Sequence, residues 1–163
     1  LDRFALRRKA SLALGAAAAL DPAQPDLSDA LRAALGEDGA DLTLELSGNP
    51  AALDAAIKST GFAGRLVLGS WYGTKPVHLD LGGGFHRSHI RLLASQVSQL
   101  DPALTGRWTK ARRLAFAWQW LARLKPSAWI THRLDLESAG EAYALLDEHP
   151  EEALQVVLTY PDA

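Results

Sequence analysis

The stretch Gly39-Ala40-Asp41-Leu42-Thr43-Leu44-Glu45-Leu46-Ser47-Gly48-Asn49-Pro50 constrains the fold more than any other. Leu42, Leu44 and Leu46 alternate and read as a buried strand. Ser47-Gly48 follows as a tight turn, with Gly48 permitting it. Asn49 is a helix N-cap residue, and Pro50 suits the first helical position. A second strand, Gly64-Arg65-Leu66-Val67-Leu68-Gly69-Ser70, comes soon after. Strand, helix and strand in about 30 residues form a βαβ unit, so the two strands are expected to be parallel neighbours. Ligands of such sheets bind beyond the carboxyl ends of the strands. That places Ser47-Gly48 and Gly69-Ser70 together on a binding rim.

The chain has 163 residues, 48% of them hydrophobic, enough for a sizeable core. Its formal net charge of −2 gives no basic field for nucleic acid. No cysteine is present, which excludes disulfides and thiolate metal sites within the chain. No apolar run approaches the roughly 18 residues that span a membrane, and the Ala-rich stretch before Asp21 is too short. No signal peptide is evident, so no membrane partner and a cytoplasmic location are expected. The chain opens on Leu1-Asp2 and contains no methionine, and it reads as a fragment.

The rim sequences, Gly-Ala-Asp-Leu-Thr-Leu-Glu-Leu-Ser-Gly-Asn-Pro and then Gly-Arg-Leu-Val-Leu-Gly, resemble the fourth and fifth strands of the cofactor domain of medium-chain dehydrogenases, the zinc-type alcohol dehydrogenase superfamily. The likeness covers nearly the whole chain. Asp2, then the helix pattern to Leu14, then Gly15-Ala16 resemble the end of the second strand, its helix and the approach to a short strand, Ala16–Leu20. The resemblance implies that Asp2 accepts hydrogen bonds from the adenosine ribose hydroxyls, which favours NAD over NADP. Arg3, Arg7 and Arg8 stand nearby and could hold a 2′-phosphate instead. Read by itself, Asp2 is also a helix cap, and the two roles are compatible.

Further along, Leu27, Leu31, Ala34 and Leu35 predict a helix from Asp26 or Ser28 to Gly36. Leu53, Ala56 and Ile57 predict the inward face of the helix after Pro50, with Gly61 and Gly64 closing it. Pro76 to Leu81 alternates like a half-exposed strand, with Val77, Leu79 and Leu81 inward. His89–Val97 predicts another strand, whose family counterpart ends on a small or hydroxyl residue beside the nicotinamide. Ala94 and Ser95 match that position, and the edge strand implies pairing across a homodimer axis. Leu104, Trp108, Ala111, Ala115, Trp118 and Ala122 follow a helical period, which places Trp108 and Trp118 in the core and ends the helix at Pro126. The neighbouring Arg107, Lys110 and Arg113 then form a solvated face rather than a nucleic-acid patch. The tail reads as a strand, Trp129–Leu134, a helix with Ala139, Ala142, Tyr143 and Leu146 on one face, and a closing strand, Ala153–Tyr160.

The expected fold is therefore α/β: an incomplete doubly wound, Rossmann-like, mostly parallel sheet lacking its first strand, with a strand-helix-strand tail. Residues 1–125 are expected to form a partial dinucleotide-binding domain. Residues 126–163 are expected to be a segment that returns to a catalytic domain. The resemblance implies hydride transfer between NAD or NADP and a small alcohol or carbonyl substrate, with zinc bound by ligands outside this chain. The cofactor-binding residues it implies are Asp2, Arg7, Ser47, Gly48, Gly69, Ser70, Ala94 and Ser95. No catalytic or metal-binding residue is assigned here. No G-x-G-x-x-G occurs, and Gly82-Gly83-Gly84 reads as a turn rather than a phosphate loop. His86 and His89 read as exposed loop histidines, and His132 as structural. By itself the fragment is expected to be inactive. A methyltransferase is one alternative, which an antiparallel terminal hairpin would favour. A non-catalytic interaction module using the edge strand and the Trp-rich helix is the other.

Overall fold

The computed structural model describes residues 1–160. The chain packs as two compact units, Ser28–Arg112 and Leu1–Leu27 with Arg113–Ala163. The Ser28–Arg112 unit contains all but the first residue of α2 (Leu27–Leu35), with β1 (Ala40–Glu45), α3 (Pro50–Ser59), β2 (Thr60–Leu68) and β3 (Arg91–Ala94). Its sheet has the order β1-β2-β3 and is parallel throughout. The Asn49 side chain accepts the Ala51 N–H at 3.0 Å, and Pro50 occupies the first turn, so α3 starts as its sequence predicts.

Leu53, Ala56 and Ile57 of α3 are buried with Leu66 and Ile90. Leu68, Tyr72, Val77, Leu79 and Phe85 pack around them. This cluster covers one face of the sheet only. Leu66, fully buried, shares a row with Thr43 and Leu92, and Leu68 shares the next with Glu45 and Ala94. The inward side of β1 is therefore Thr43 and Glu45, not the leucines. Leu42, Leu44 and Leu46 are 47%, 57% and 69% exposed. Strand alternation explains the reversal, because side chains one residue apart face opposite ways. The apolar triplet lies on the face that α3 does not cover. The polar inward positions are satisfied: Thr43 Oγ1 lies 2.8 Å from Thr60 Oγ1, which donates to the Ala56 carbonyl at 2.7 Å.

Other expected elements change. β2 begins at Thr60, so Gly61 and Gly64 lie within the strand rather than before it. A Cβ on Gly61 would come within 1.9 Å of the Asp38 carbonyl oxygen, so this close approach requires glycine. Residues 76–80 form no strand, because no neighbouring strand pairs with them. Val77 and Leu79 still pack against the core, but Leu81 is 49% exposed. Leu81–Phe85, which includes the three glycines, is a wide turn kinked at Gly83, whose φ −86° and ψ −123° are not helical. The Asp80 carboxylate caps it by accepting the Gly82 and Gly83 N–H groups at 3.1 and 3.0 Å. Ala16–Leu20 is not a strand either; the Leu20 carbonyl accepts the Asp2 N–H at 3.1 Å, with no ladder around it.

The second unit holds α1 (Ala5–Ala13), most of α4 (Lys110–Leu124), β4 (Ile130–Asp135), α5 (Ala139–Glu148) and β5 (Gln155–Thr159). β4 and β5 pair in parallel across α5, not as an antiparallel hairpin. Ala142 and Ala153 are buried here, whereas Tyr143 and Leu146 are 73% and 45% exposed. Trp118 is 63% exposed, and α4 buries none of its residues. Trp108 precedes the helix and stacks beneath Arg112, whose guanidinium lies 4.5 Å from the ring centre. The core placement expected for both tryptophans therefore does not hold: helical period fixes a face, but burial needs an apolar partner opposite it. Among the described residues, no helix is long and apolar enough to cross a membrane.

The reversed strand face gives a direct expectation. Leu66→Ala should cost about 2–5 kcal/mol, and Leu44→Ala less than about 1 kcal/mol. Urea unfolding of the two variants measures the difference; comparable losses would put the leucine face in the core after all.

Candidate functional site

The three parallel strands end in register. Glu45 pairs with Leu68, and Leu68 pairs with Ala94. One residue on, the Gly69 N–H donates to the Glu45 carbonyl at 2.9 Å, and the Ser95 N–H donates to the Leu68 carbonyl at 2.8 Å. Six of the sequence-predicted residues, Ser47, Gly48, Gly69, Ser70, Ala94 and Ser95, therefore stand along one carboxyl-end rim. Ala94 and Ser95 are exposed at its outer strand. Leu46 and Trp71 are 69% and 89% exposed and give the rim apolar surface.

Glu45 lies beneath this rim with only 4% of its surface exposed. Its carboxylate accepts from donors on both turns. From the β1 turn, the Ser47 N–H donates to Oε1 at 2.7 Å, and the Ser47 hydroxyl donates to the same oxygen. The Gly48 N–H points at Oε2 from 3.4 Å. From the β2 loop, the Ser70 hydroxyl donates to Oε2, and the Tyr72 hydroxyl does so at 2.6 Å. Burial pushes the carboxyl pKa up, but the hydrogen bonds from Ser47, Ser70 and Tyr72 together outweigh it and hold the group at about 2. Tyr72 responds in the opposite sense. Burial first, and then its bond to the anion, push its hydroxyl up to about 12 against a smaller lowering by Ser70.

The turn is fixed from two further directions. Gly48 has φ +65°, and a Cβ there would lie 2.9 Å from the Trp71 carbonyl oxygen. Lys75 Nζ donates to the Gly48 carbonyl at 2.6 Å. The sequence-based site contained neither Glu45, Tyr72 nor Lys75. Glu45 had a legible signal, as a carboxylate two residues before a Ser-Gly turn and out of phase with three leucines. Tyr72 and Lys75 join through loop geometry, for which the sequence carries no periodic mark.

Asp2 and Arg7 belong to the other compact unit. Asp2 Oδ1 accepts the Phe4 N–H at 2.9 Å, opening the turn before α1. Arg7 Nη2 donates to the Pro150 and Ala153 carbonyls at 3.1 and 3.4 Å and so ties α1 to the tail. Among the described residues, the one group of three side chains suited to a metal is His149, Glu151 and Glu152, all exposed and none a thiolate. These do not fit a zinc-dehydrogenase centre. His86 and His89 join no such group; the His89 ring packs edge-on to Phe62 at 5.4 Å.

A family model described as zinc-binding dehydrogenase matches residues 1–116. The zinc-type alcohol dehydrogenase-like protein YphC of Escherichia coli (strain K12) is 33% identical over 131 residues, covering 80% of this chain and 33% of that protein. L-threonine 3-dehydrogenase of Symbiobacterium thermophilum is 31% identical over 138 residues, covering 82% of this chain and 36% of its own length. This chain thus spans about a third of these two relatives. A solved structure described as an alcohol dehydrogenase from E. coli CFT073, complexed with NADH, superposes with a TM-score of 0.75 at 21% identity, over 97% of this chain and 43% of the other. That likeness shows the fold.

The anion beneath the rim makes stability depend on pH. The Glu45 carboxyl lies below its ordinary value of 4.5, so its contribution is complete above that pH and is lost as pH falls from about 4.5 to about 2. The loss should be on the order of 3 kcal/mol and absent in Glu45→Gln, as measured by denaturant unfolding at each pH. Tyr72 works the other way, its contribution fading as pH rises from 10 to about 12. Gly48→Ala should cost about 1–3 kcal/mol at neutral pH in the same assay; no loss would mean that the turn does not need its left-handed glycine.

Proposed function

The chain belongs to the zinc-binding dehydrogenase family, and we propose that it is the cofactor-binding part of an oxidoreductase that moves hydride between NAD(P) and a small alcohol or carbonyl compound. The observation that carries this is the shared rim: three parallel strand ends bring Ser47, Gly48, Gly69, Ser70, Ala94 and Ser95 into one row. Such a rim is where open α/β sheets bind nucleotides. The fit to a dinucleotide's nicotinamide end is chemical. Exposed Leu46 and Trp71 offer apolar surface to a flat ring, and the serine oxygens and strand-end backbone offer polar contacts to its ribose and carboxamide. Bound NAD(P) supplies the hydride acceptor or donor, and the protein's part is to bind and orient it.

Asp2 is proposed to accept the adenosine ribose hydroxyls, which favours NAD, with Arg7 holding the helix that follows Asp2 against the tail. Zinc, which polarises the substrate oxygen in such enzymes, takes its ligands from outside these 163 residues. Residues 1–125 then form the dinucleotide part, and 126–163 the segment that joins a catalytic domain. β3, exposed along all four residues, is proposed to pair across a homodimer axis.

Calorimetric titration of the 163-residue chain with NADH tests this. Binding is expected in the millimolar range, because no glycine-rich phosphate loop contributes, and no alcohol oxidation is expected. Ala94→Trp, placed on an exposed position, should abolish binding. Asp2→Ala should lower the ratio of NADH to NADPH affinity by about tenfold, the loss of one charge-assisted hydrogen bond. Binding unaffected by Ala94→Trp, or turnover by the chain alone, would overturn this assignment.

A further inference from the structure

We propose that Glu45 is a positioning residue that makes the rim an acceptor surface, selective for the uncharged, donor-bearing part of its ligand (ribose hydroxyls or a carboxamide N–H) over phosphate. This rests on the cofactor reading above and assigns a role to a residue outside the set that reading uses.

The inference follows from counting protons. A serine hydroxyl has one proton to give and two lone pairs. The Ser47 and Ser70 hydroxyls both direct theirs at the Glu45 carboxylate, one to each oxygen. An ionised carboxylate can only accept, so neither serine can turn its proton outward without leaving a buried anion short of a donor. Toward a ligand, the two oxygens therefore present lone pairs. Ser47 Oγ also accepts the Asn49 N–H at 3.1 Å, which leaves it one.

The same carboxylate fixes where those oxygens stand. It joins the β1 turn, through Ser47 and Gly48, to the β2 loop, through Ser70 and Tyr72. A second anion on this rim would face the Glu45 charge through one layer of hydroxyls. Lys75, the cation on this turn, opposes that repulsion, but it is held on the Gly48 carbonyl. A ligand group with protons to give meets neither obstacle.

Glu45→Gln tests the arrangement at nearly constant volume. The glutamine amide nitrogen would donate to one serine, which releases that serine's proton toward the ligand, and the buried charge is removed. The readout is the ¹H–¹⁵N shift of the Ser47, Gly48 and Ser70 amides at neutral pH, with D-ribose, nicotinamide, nicotinamide riboside in its reduced, uncharged form and inorganic phosphate as separate probes. In the unsubstituted chain, nicotinamide riboside should shift these amides and phosphate should not. In Glu45→Gln, the preference for riboside over phosphate should fall at least tenfold. Leu53→Ala serves as a control destabilised through the core, and its preference should be unchanged.

Response to D-ribose alone or to nicotinamide alone identifies which donor the rim takes. A response to D-ribose without one to nicotinamide riboside would retain the acceptor surface and overturn the nicotinamide assignment. Phosphate shifting the amides as strongly as the riboside would overturn the proposal, as would no response to any probe. Loss of riboside binding in Glu45→Gln without any gain in the phosphate response would overturn it too, because that is what a merely structural glutamate gives.

Discussion

One buried carboxylate holds the carboxyl end of this sheet together. Glu45 sits at the last inward position of β1, where an apolar residue would ordinarily close the core. A lone buried anion is costly, so the surrounding chain must supply donors. It does so from both sides: Ser47 and Gly48 after β1, and Ser70 and Tyr72 after β2. The turns that leave the two strands are thereby held to one point. The left-handed Gly48 and the Lys75 contact are further constraints on the same few residues. α3 is fixed separately, by its Asn49 cap and by Leu53, Ala56 and Ile57 packed on Leu66.

Much of this was legible in the chain. Asn49-Pro50 announced a helix start, and the spacing of Leu53, Ala56 and Ile57 gave its inward face. The short strand-helix-strand length implied parallel pairing, and the structure has it. The rim followed from topology alone, because parallel neighbours place their carboxyl ends side by side. These features share a cause: each is local, or follows from a connection too short to allow alternatives.

The misreadings also have a common cause. Leu42, Leu44 and Leu46 read as a buried strand because they are apolar, but period-two alternation fixes only that they share a face. Which face is buried depends on where α3 lies, and α3 lies over Thr43 and Glu45. Trp118 repeats the error on a helix, where the period is present and no burial accompanies it. Ala16–Leu20 and residues 76–80 have strand-like composition without a neighbour to complete a ladder. Tyr72 and Lys75 reach the rim through a loop that carries no pattern to read.

The relation between rim and cofactor is the central claim, and a crystal structure of the chain soaked with NADH tests it most directly. The account predicts the nicotinamide and its ribose lying over the carboxyl ends of β1, β2 and β3, against Ser47, Gly69 and Ser95. Ordered NADH at the amino ends of the strands, or on the uncovered leucine face, would contradict it.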